Sequence, residues 1–407
     1  MPFRKVSRCH QDFIEILYKV AAKLNLRDLE YVIEYGSEDI DMFYTGIYKV
    51  DIKGAGEKQR VKYVAIVKWH GDPKKRVSCR ELYHREYIFY ECIVPELLDI
   101  QRRFEIIEGL KMKFPNCILA NIELNKETIV FLRDNKFRCL DRFHKIDLAH
   151  ASLVIKNLAK LHALSFVLEK TKPKFLEEIK KQCSKDVQYS DPTYVSKSMV
   201  YYFNTSVNVV WDPTAKEKLK ALAPSIVRVL NKCTTSGPHS VLCHGDCWNN
   251  NIFYIYQRNR PVDVILIDYQ LCRFASPVTD ISYYLYMSTE RDFLNQHHDR
   301  LLDIYYGTLS AVLRQCNLDV EEVYPKHIFQ EHLRQYSVLG LIEALVSMKI
   351  ITAAAEEAFE MTEMKYYTED GTADIVLQNQ TLYEKRVNGV VDDFFERGYS
   401  LDHLLNN

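Results

Sequence analysis

The sequence predicts a two-lobed α+β chain, a small strand-rich lobe followed by a larger, mainly helical one. Three observations carry this. Short apolar runs rich in β-branched and aromatic residues cluster before residue 133. Long segments with helical periodicity dominate after it. A single hairpin-like stretch, Val241–Asp280, interrupts the helical part. We divide the chain into residues 1–133 and 134–407. With 407 residues and 47% hydrophobic content it can bury two such cores.

Phe13, Ile16, Leu17, Val20, Ala21 and Leu24 recur at helical spacing, which predicts an amphipathic helix over residues 10–25. Tyr44–Ile52 and Val61–Lys68 read as strands joined near Gly54 and Gly56, with Lys68 late in the second. Ser78 and Glu81 have the spacing of a capping box, opening a helix that runs through Glu86 to Cys92, ahead of Pro95. Cys117–Ala120 and Thr128–Leu132 supply further strands, and the polar Arg133–Lys136 marks the passage between lobes. Asp147 caps a long helix containing Leu153, Val154, Leu158, Leu161 and Ala163, in which His162 reads as a core histidine. Residues 170–240 mix helix and loop, with Lys170, Lys172 and Lys174 on a solvated face. Residues 291–316, 326–357 and 377–398 are expected helices, the last capped by Gly398.

The hairpin carries the chemistry. Ile252–Tyr256 and Val262–Ile267 are its strands, and Gln257–Arg260, closed by Pro261, its connection. Antiparallel pairing then sets Asn251 opposite Asp268, an amide oxygen beside a carboxylate, two hard ligands suited to Mg²⁺. His244–Asn251 has the form H-x-D-x-x-x-x-N. That form matches the catalytic loop of kinase-like phosphotransferases. There the aspartate accepts the proton of the attacking hydroxyl, while the asparagine and a later aspartate hold the metal. Asp246 is therefore the expected base and His244 a structural loop residue. Val64–Lys68 is close to the V-A-I-K form, which makes Lys68 the phosphate-binding lysine. Glu86 is its expected partner, preferred over Glu81 and Glu91 because Glu81 serves the cap. Cys243 and Cys247 lack zinc-site spacing and read as packing residues. Tyr283, Tyr284 and Tyr286, near a helix start, read the same way.

A net charge of −1 gives no bulk field for nucleic acid or an anionic membrane. Eleven cysteines without framework spacing favour reduced thiols and a cytoplasmic location. The N-terminal MPFRKVSRCHQDF has no apolar stretch of signal-peptide type. Val338–Ala355 is apolar but holds Glu343 and Lys349, so it is expected as a buried helix and not a membrane span.

The phrases HGDCWNNNIFY (His244–Tyr254) and LIDYQLCRFASPVTDISYYLY (Leu266–Tyr286) resemble the ecdysteroid kinase-like family, within the choline/aminoglycoside kinase-like group. YHREYIFYECIVPEL (Tyr83–Leu97) and LAKLHALSF (Leu158–Phe166) extend the resemblance, which covers residues 31–398. It implies a bilobal protein-kinase-like fold and ATP- and Mg²⁺-dependent phosphorylation of a small-molecule hydroxyl, on an ecdysteroid or similar steroid. By position it makes Asp246 the base and Asn251 and Asp268 the metal ligands. Lys68 and Glu86 would position ATP, and Asp280 would brace the catalytic loop beside His244. Two positions depart from the family. Ile40, Asp41 and Met42 replace the usual glycine, aspartate and asparagine of the nucleotide-covering turn, and Phe131-Leu132-Arg133 stands where the linker usually carries an acidic pair. The alternatives are a kinase-like binding protein without turnover, a choline- or aminoglycoside-type kinase, and a metal-dependent phosphohydrolase using His244 and Asp246.

Overall fold

Alternating apolar and polar residues build the first lobe. The computed structural model describes residues 4–5, 11–35, 46–71, 73–134, 136–183, 195–363, 376–399 and 401. The expected nucleotide-covering turn, Ile40–Met42, lies outside them. Six strands, Arg4–Lys5 (β1), Arg27–Tyr35 (β2), Ile47–Ala55 (β3), Arg60–Lys68 (β4), Cys117–Asn121 (β5) and Thr128–Leu132 (β6), form one antiparallel sheet in the order β1-β2-β3-β4-β6-β5. The strand β2 is an addition to the expected set. Its Leu29, Tyr31 and Ile33 turn inward between Glu30, Val32 and Glu34, a period-2 pattern that its acidic residues obscure.

The helix Gln11–Lys23 (α1) covers one face of this sheet. Phe13, Ile16, Leu17 and Val20 pack there with Val50, Ile52, Ala65 and Val67, and Phe13 meets Trp69 edge-on at 5.2 Å. The side chains of Ala120 and Ile129 point the other way, into a second core shared with the helical lobe. There lies a long helical rod made of Pro73–Tyr87 (α2), a π-helical turn Ile88–Ile93, and Val94–Arg103 (α3). The rod corrects two expectations. It begins at Pro73, whose fixed φ suits a first helical position, so Ser78 and Glu81 sit inside the helix and form no cap. It also continues through Pro95, near the start of α3, where the preceding π turn has already changed the hydrogen-bonding register.

The second lobe holds two small sheets. Phe137–Cys139 (β7), Ile252–Gln257 and Arg260–Leu266 make a three-stranded sheet, with the last two as a hairpin. Val241–Cys243 (β8) pairs with Arg273–Ala275. The hairpin strands are numbered β9 and β10, and Arg273–Ala275 is β11. Arg258 and Asn259, both with positive φ, form the two-residue hairpin turn. The helices are Leu148–Thr171 (α4), Pro173–Gln182 (α5), Val195–Asn208 (α6), Pro213–Leu222 (α7), Ile226–Thr234 (α8), Val278–Ser288 (α9), Arg291–Gln315 (α10), Val320–Val323 (α11), Lys326–Thr352 (α12), Ala355–Glu363 (α13) and Gln380–Glu396 (α14). Asp147 caps α4 through the His150 amide at 2.9 Å, as expected. The expected helix 326–357 breaks at Ala353, and α13 follows. Gly398, at φ +73°, closes α14. The helices α4 and α12 are long and apolar enough to span a membrane, but 83% and 72% of those windows are buried in the fold, so they serve as its core helices.

Candidate active site

The site is assembled where β8, the β9–β10 hairpin, α9 and the end of β4 meet. After β8 the chain makes a tight loop, His244–Gly245–Asp246. Gly245 has φ +87°, and a Cβ on it would lie 2.1 Å from the Leu271 carbonyl oxygen, so glycine alone fits. This close approach docks the loop carrying Asp246 onto the loop carrying Asp268. The β8–β11 pairing, Cys243 opposite Arg273, ties the two loops together again beyond it.

The hairpin register differs by one position from the sequence reading. Ile252 pairs with Leu266, and the Ile267 amide donates to the Asn251 carbonyl at 3.0 Å, so Asn251 lies opposite Ile267. The turn at Arg258 and Asn259 sets a register two positions short of that pairing, and the bulge between Pro261 and Asp263 recovers one of them. Asp268 then adopts a left-handed conformation, φ 67° and ψ 66°, which turns its side chain away from the strand direction. Its Oδ1 accepts from Lys68 Nζ at 2.9 Å, and the same ammonium donates to Glu86 Oε2 at 2.6 Å. Lys68, Glu86 and Asp268 are thus brought together from β4, α2 and the hairpin.

The rod bearing Glu86 is held against the Asp268 loop. Phe89 stacks on Tyr269 with ring centroids 3.6 Å apart, and Arg85 donates to the carbonyls of Cys272 and Cys183, each at 3.1 Å. Glu86 is 1% exposed on its side chain. Burial pushes its carboxyl up, against the pull of Lys68, while burial alone would lower Lys68 and the Asp268 and Glu86 charges outweigh it and hold the ammonium protonated.

Asp246 stands beside this group. Its Oδ2 accepts from Asn251 Nδ2 at 3.0 Å, and its Oδ1 accepts from the Tyr283 hydroxyl at 2.6 Å. Burial first, and then repulsion from Asp268, push its carboxyl up to about 6, with the Tyr283 and Asn251 hydrogen bonds opposing. Tyr283 was expected as packing and corrects that reading. Its signal was its place three residues after Asp280, which puts both on one face of α9.

Asp280 supports the loop from below. Its Oδ2 accepts the His244 amide at 2.6 Å and its Oδ1 the Gly245 amide at 2.9 Å. His162 Nε2 lies 3.1 Å from Oδ2, and His162 Nδ1 bonds the Tyr305 hydroxyl at 2.8 Å, as befits a satisfied core histidine. Burial works to raise Asp280, but the hydrogen bond and charge of His162, with His244 and Arg273, hold it below the ordinary carboxylate value. His244 Nδ1 accepts the Asp246 amide at 3.2 Å, so its Nε2 carries the hydrogen and donates to the Ile267 carbonyl at 2.9 Å. Burial lowers this imidazole, against the pull of the Asp280 and Asp268 charges.

The residues fit a divalent cation. Asn251 and Asp268 offer hard oxygens, and the Lys68 ammonium is shared by two carboxylates, Glu86 and Asp268, with the Asp268 charge also felt at Asp246. Among the described residues, one other cluster has ligand-like spacing, His162, Cys243 and Asp280. Its atoms are already committed to core hydrogen bonds, Cys243 Sγ lying 3.6 Å from the Ala275 carbonyl. No further ligand accompanies His244 and Asp246, as the phosphohydrolase reading needs, among the described residues.

The profile of the ecdysteroid kinase-like family matches residues 39–318. A search of curated protein sequences finds no match. Among solved structures, an ethanolamine kinase of Plasmodium vivax is 13% identical with a TM-score of 0.46, covering 97% of this chain and 93% of that one. The choline kinase LicA of Streptococcus pneumoniae is 12% identical with a TM-score of 0.43, covering 94% and 100%. A glucosamine kinase in complex with glucosamine, ADP and inorganic phosphate is 12% identical with a TM-score of 0.34, covering 96% and 88%.

Proposed function

The chain belongs to the ecdysteroid kinase-like family, and from that premise we propose that it transfers the γ-phosphoryl group of ATP to an alcohol hydroxyl of a small molecule. The observation that carries this is the convergence of Lys68, Glu86 and Asp268 beside an Asp246 already clasped by Asn251. Lys68, held charged and aimed by Glu86, would contact the α- and β-phosphates. Asn251 and Asp268 would hold Mg²⁺, whose role is to neutralise charge on the phosphates. Asp246 would take the proton of the attacking hydroxyl, and its raised carboxyl is a better base at neutral pH than an ordinary aspartate. His244 and Asp280 hold the loop and do not react.

We take an ecdysteroid or similar steroid as the acceptor, and residues 1–133 and 134–407 as the nucleotide-binding and substrate-binding lobes, in a cytoplasmic protein. The deciding experiment is ADP release from Mg²⁺-ATP against ecdysteroids, other sterols, choline and aminoglycosides. Acceptor-dependent release with a phosphorylated steroid, lost in Asp246→Asn, is the expected result. Release with choline or an aminoglycoside alone would move the acceptor assignment to that class. No release, with no nucleotide binding, would favour a binding protein without turnover.

A further inference from the structure

The two oxygens of Asp246 are not equivalent. Oδ2 is taken by Asn251 Nδ2, which also donates to the Asp246 carbonyl at 2.9 Å and so is fixed to the loop backbone. Asn251 is tied to the loop through both bonds, so we take an alcohol that hands its proton to Asp246 to approach Oδ1, where the Tyr283 hydroxyl donates at 2.6 Å. That is the length of a charge-assisted O–H···O⁻ bond, and its geometry is the one an incoming hydroxyl would make. Tyr283 is 5% exposed, and Asp246 beside it is half-buried.

The backbone behind Tyr283 cannot retreat. Asp280, three residues earlier on α9, grips the His244 and Gly245 amides. On the opposite side, a Cβ at Gly340 of α12 would lie 2.5 Å from the Ser282 carbonyl, so the two helices meet at backbone contact. The phenol can leave Oδ1 only by its own rotation.

We propose that Tyr283 is a place-holding residue that occupies the acceptor's position on the base, keeps water from it, and yields that position to an alcohol. This rests on Asp246 being the base. Water at Oδ1 would lose a proton to Asp246 and form a P–O bond to the γ-phosphorus as the bond to ADP breaks, giving ADP and inorganic phosphate. A kinase for a scarce acceptor needs that side reaction suppressed, and a phenol does so without being consumed.

The test is phosphate release from Mg²⁺-ATP with no acceptor present, comparing wild type, Tyr283→Phe and the Asp246→Asn/Tyr283→Phe double variant. Tyr283→Phe should release phosphate about tenfold faster, the rate equivalent of about 1.4 kcal/mol, and the double variant should lose that gain. Unchanged or slower release in Tyr283→Phe overturns the proposal, as does mass-spectrometric detection of phosphate on Tyr283 in wild type, which would make it an acceptor. A crystal structure of Tyr283→Phe answers independently of turnover. An ordered water within hydrogen-bond distance of Asp246 Oδ1 is expected, and a dry, closed gap sinks the idea. Failure of the kinase reading would look different: Asp246→Asn turning over like wild type, or no Mg²⁺-ATP binding by calorimetry.

Discussion

Two carboxylate groups that flank one loop, Asp280 buried and Asp246 half-buried, are solved in opposite ways. Asp280 is satisfied from within the chain. Two backbone amides and His162 reach its oxygens, and its carboxyl is held below the ordinary range. Asp246 sits against another carboxylate, Asp268, and its carboxyl is pushed up to about 6. Burial disfavours both charges equally in kind, so the difference lies in what surrounds them. A buried group that the fold has fully hydrogen-bonded is structural. One that burial and a neighbouring carboxylate push up has the environment of reacting groups.

The sharpest way to break this contrast is Asp246→Asn. Turnover should fall by about 10²–10⁴-fold while the fold and Mg²⁺-ATP binding persist, read by ADP release and calorimetry. Asp280→Ala should do the reverse, losing about 3–5 kcal/mol of stability in urea unfolding, because His162 and two loop amides lose their common acceptor. Mg²⁺-ATP should then separate the groups by stabilisation. At a hundredfold excess over Kd it adds about 2.7 kcal/mol to wild type, and Asp268→Asn should lose most of that gain in thermal unfolding.

The smallest effect is on pH, and the two groups carry opposite signs. Asp246 has its folded value above its unfolded one, so the folded state binds its proton more tightly between about 4 and 6. Its contribution to stability is fullest below that window and is lost as pH rises through about 6. Asp280, depressed in the fold, contributes above its ordinary value and loses that contribution as pH falls. In activity, kcat/KM should drop below about pH 6 as Asp246 takes up its proton. A kcat/KM flat from pH 5 to 8 would remove Asp246 from the reaction.

The parts of the site that the sequence makes legible are those joined by short spacing. His244, Asp246 and Asn251 share one loop, and Asp268 ends the hairpin that follows, so their company is written in the chain. Lys68 and Glu86 lie on consecutive elements and could be paired by the same reasoning. Tyr283 has only its spacing from Asp280 as a signal, because its partner is chosen by the seating of α9, which depends on Asp280 and on the Gly340 contact far along the chain. The start of α2 was misplaced for a local reason. Ser78 and Glu81 imitate a cap that Pro73 pre-empts. The π turn at Ile88–Ile93, where Phe89 stacks on Tyr269, is not read from the sequence, which takes Pro95 as the end of the helix. The one-residue slip in the hairpin came from the turn, which closes at Arg258 and Asn259, ahead of the connection the sequence suggests, while the bulge at Pro261–Asp263 recovers part of the difference.

Gly245 and Asp246 are neighbours with opposite mutational fates. At position 245 every side chain begins with a Cβ that would strike the Leu271 carbonyl, and the positive φ adds to the strain. In a saturation library scored for cellular abundance, position 245 should be an almost empty column. Position 246 should be full, because asparagine and other small polar residues relieve a crowded charge there. Scored for phosphoryl transfer, both columns should be empty. Overlaying the two screens would separate, one residue apart, the part of the loop that exists to be folded from the part that exists to react.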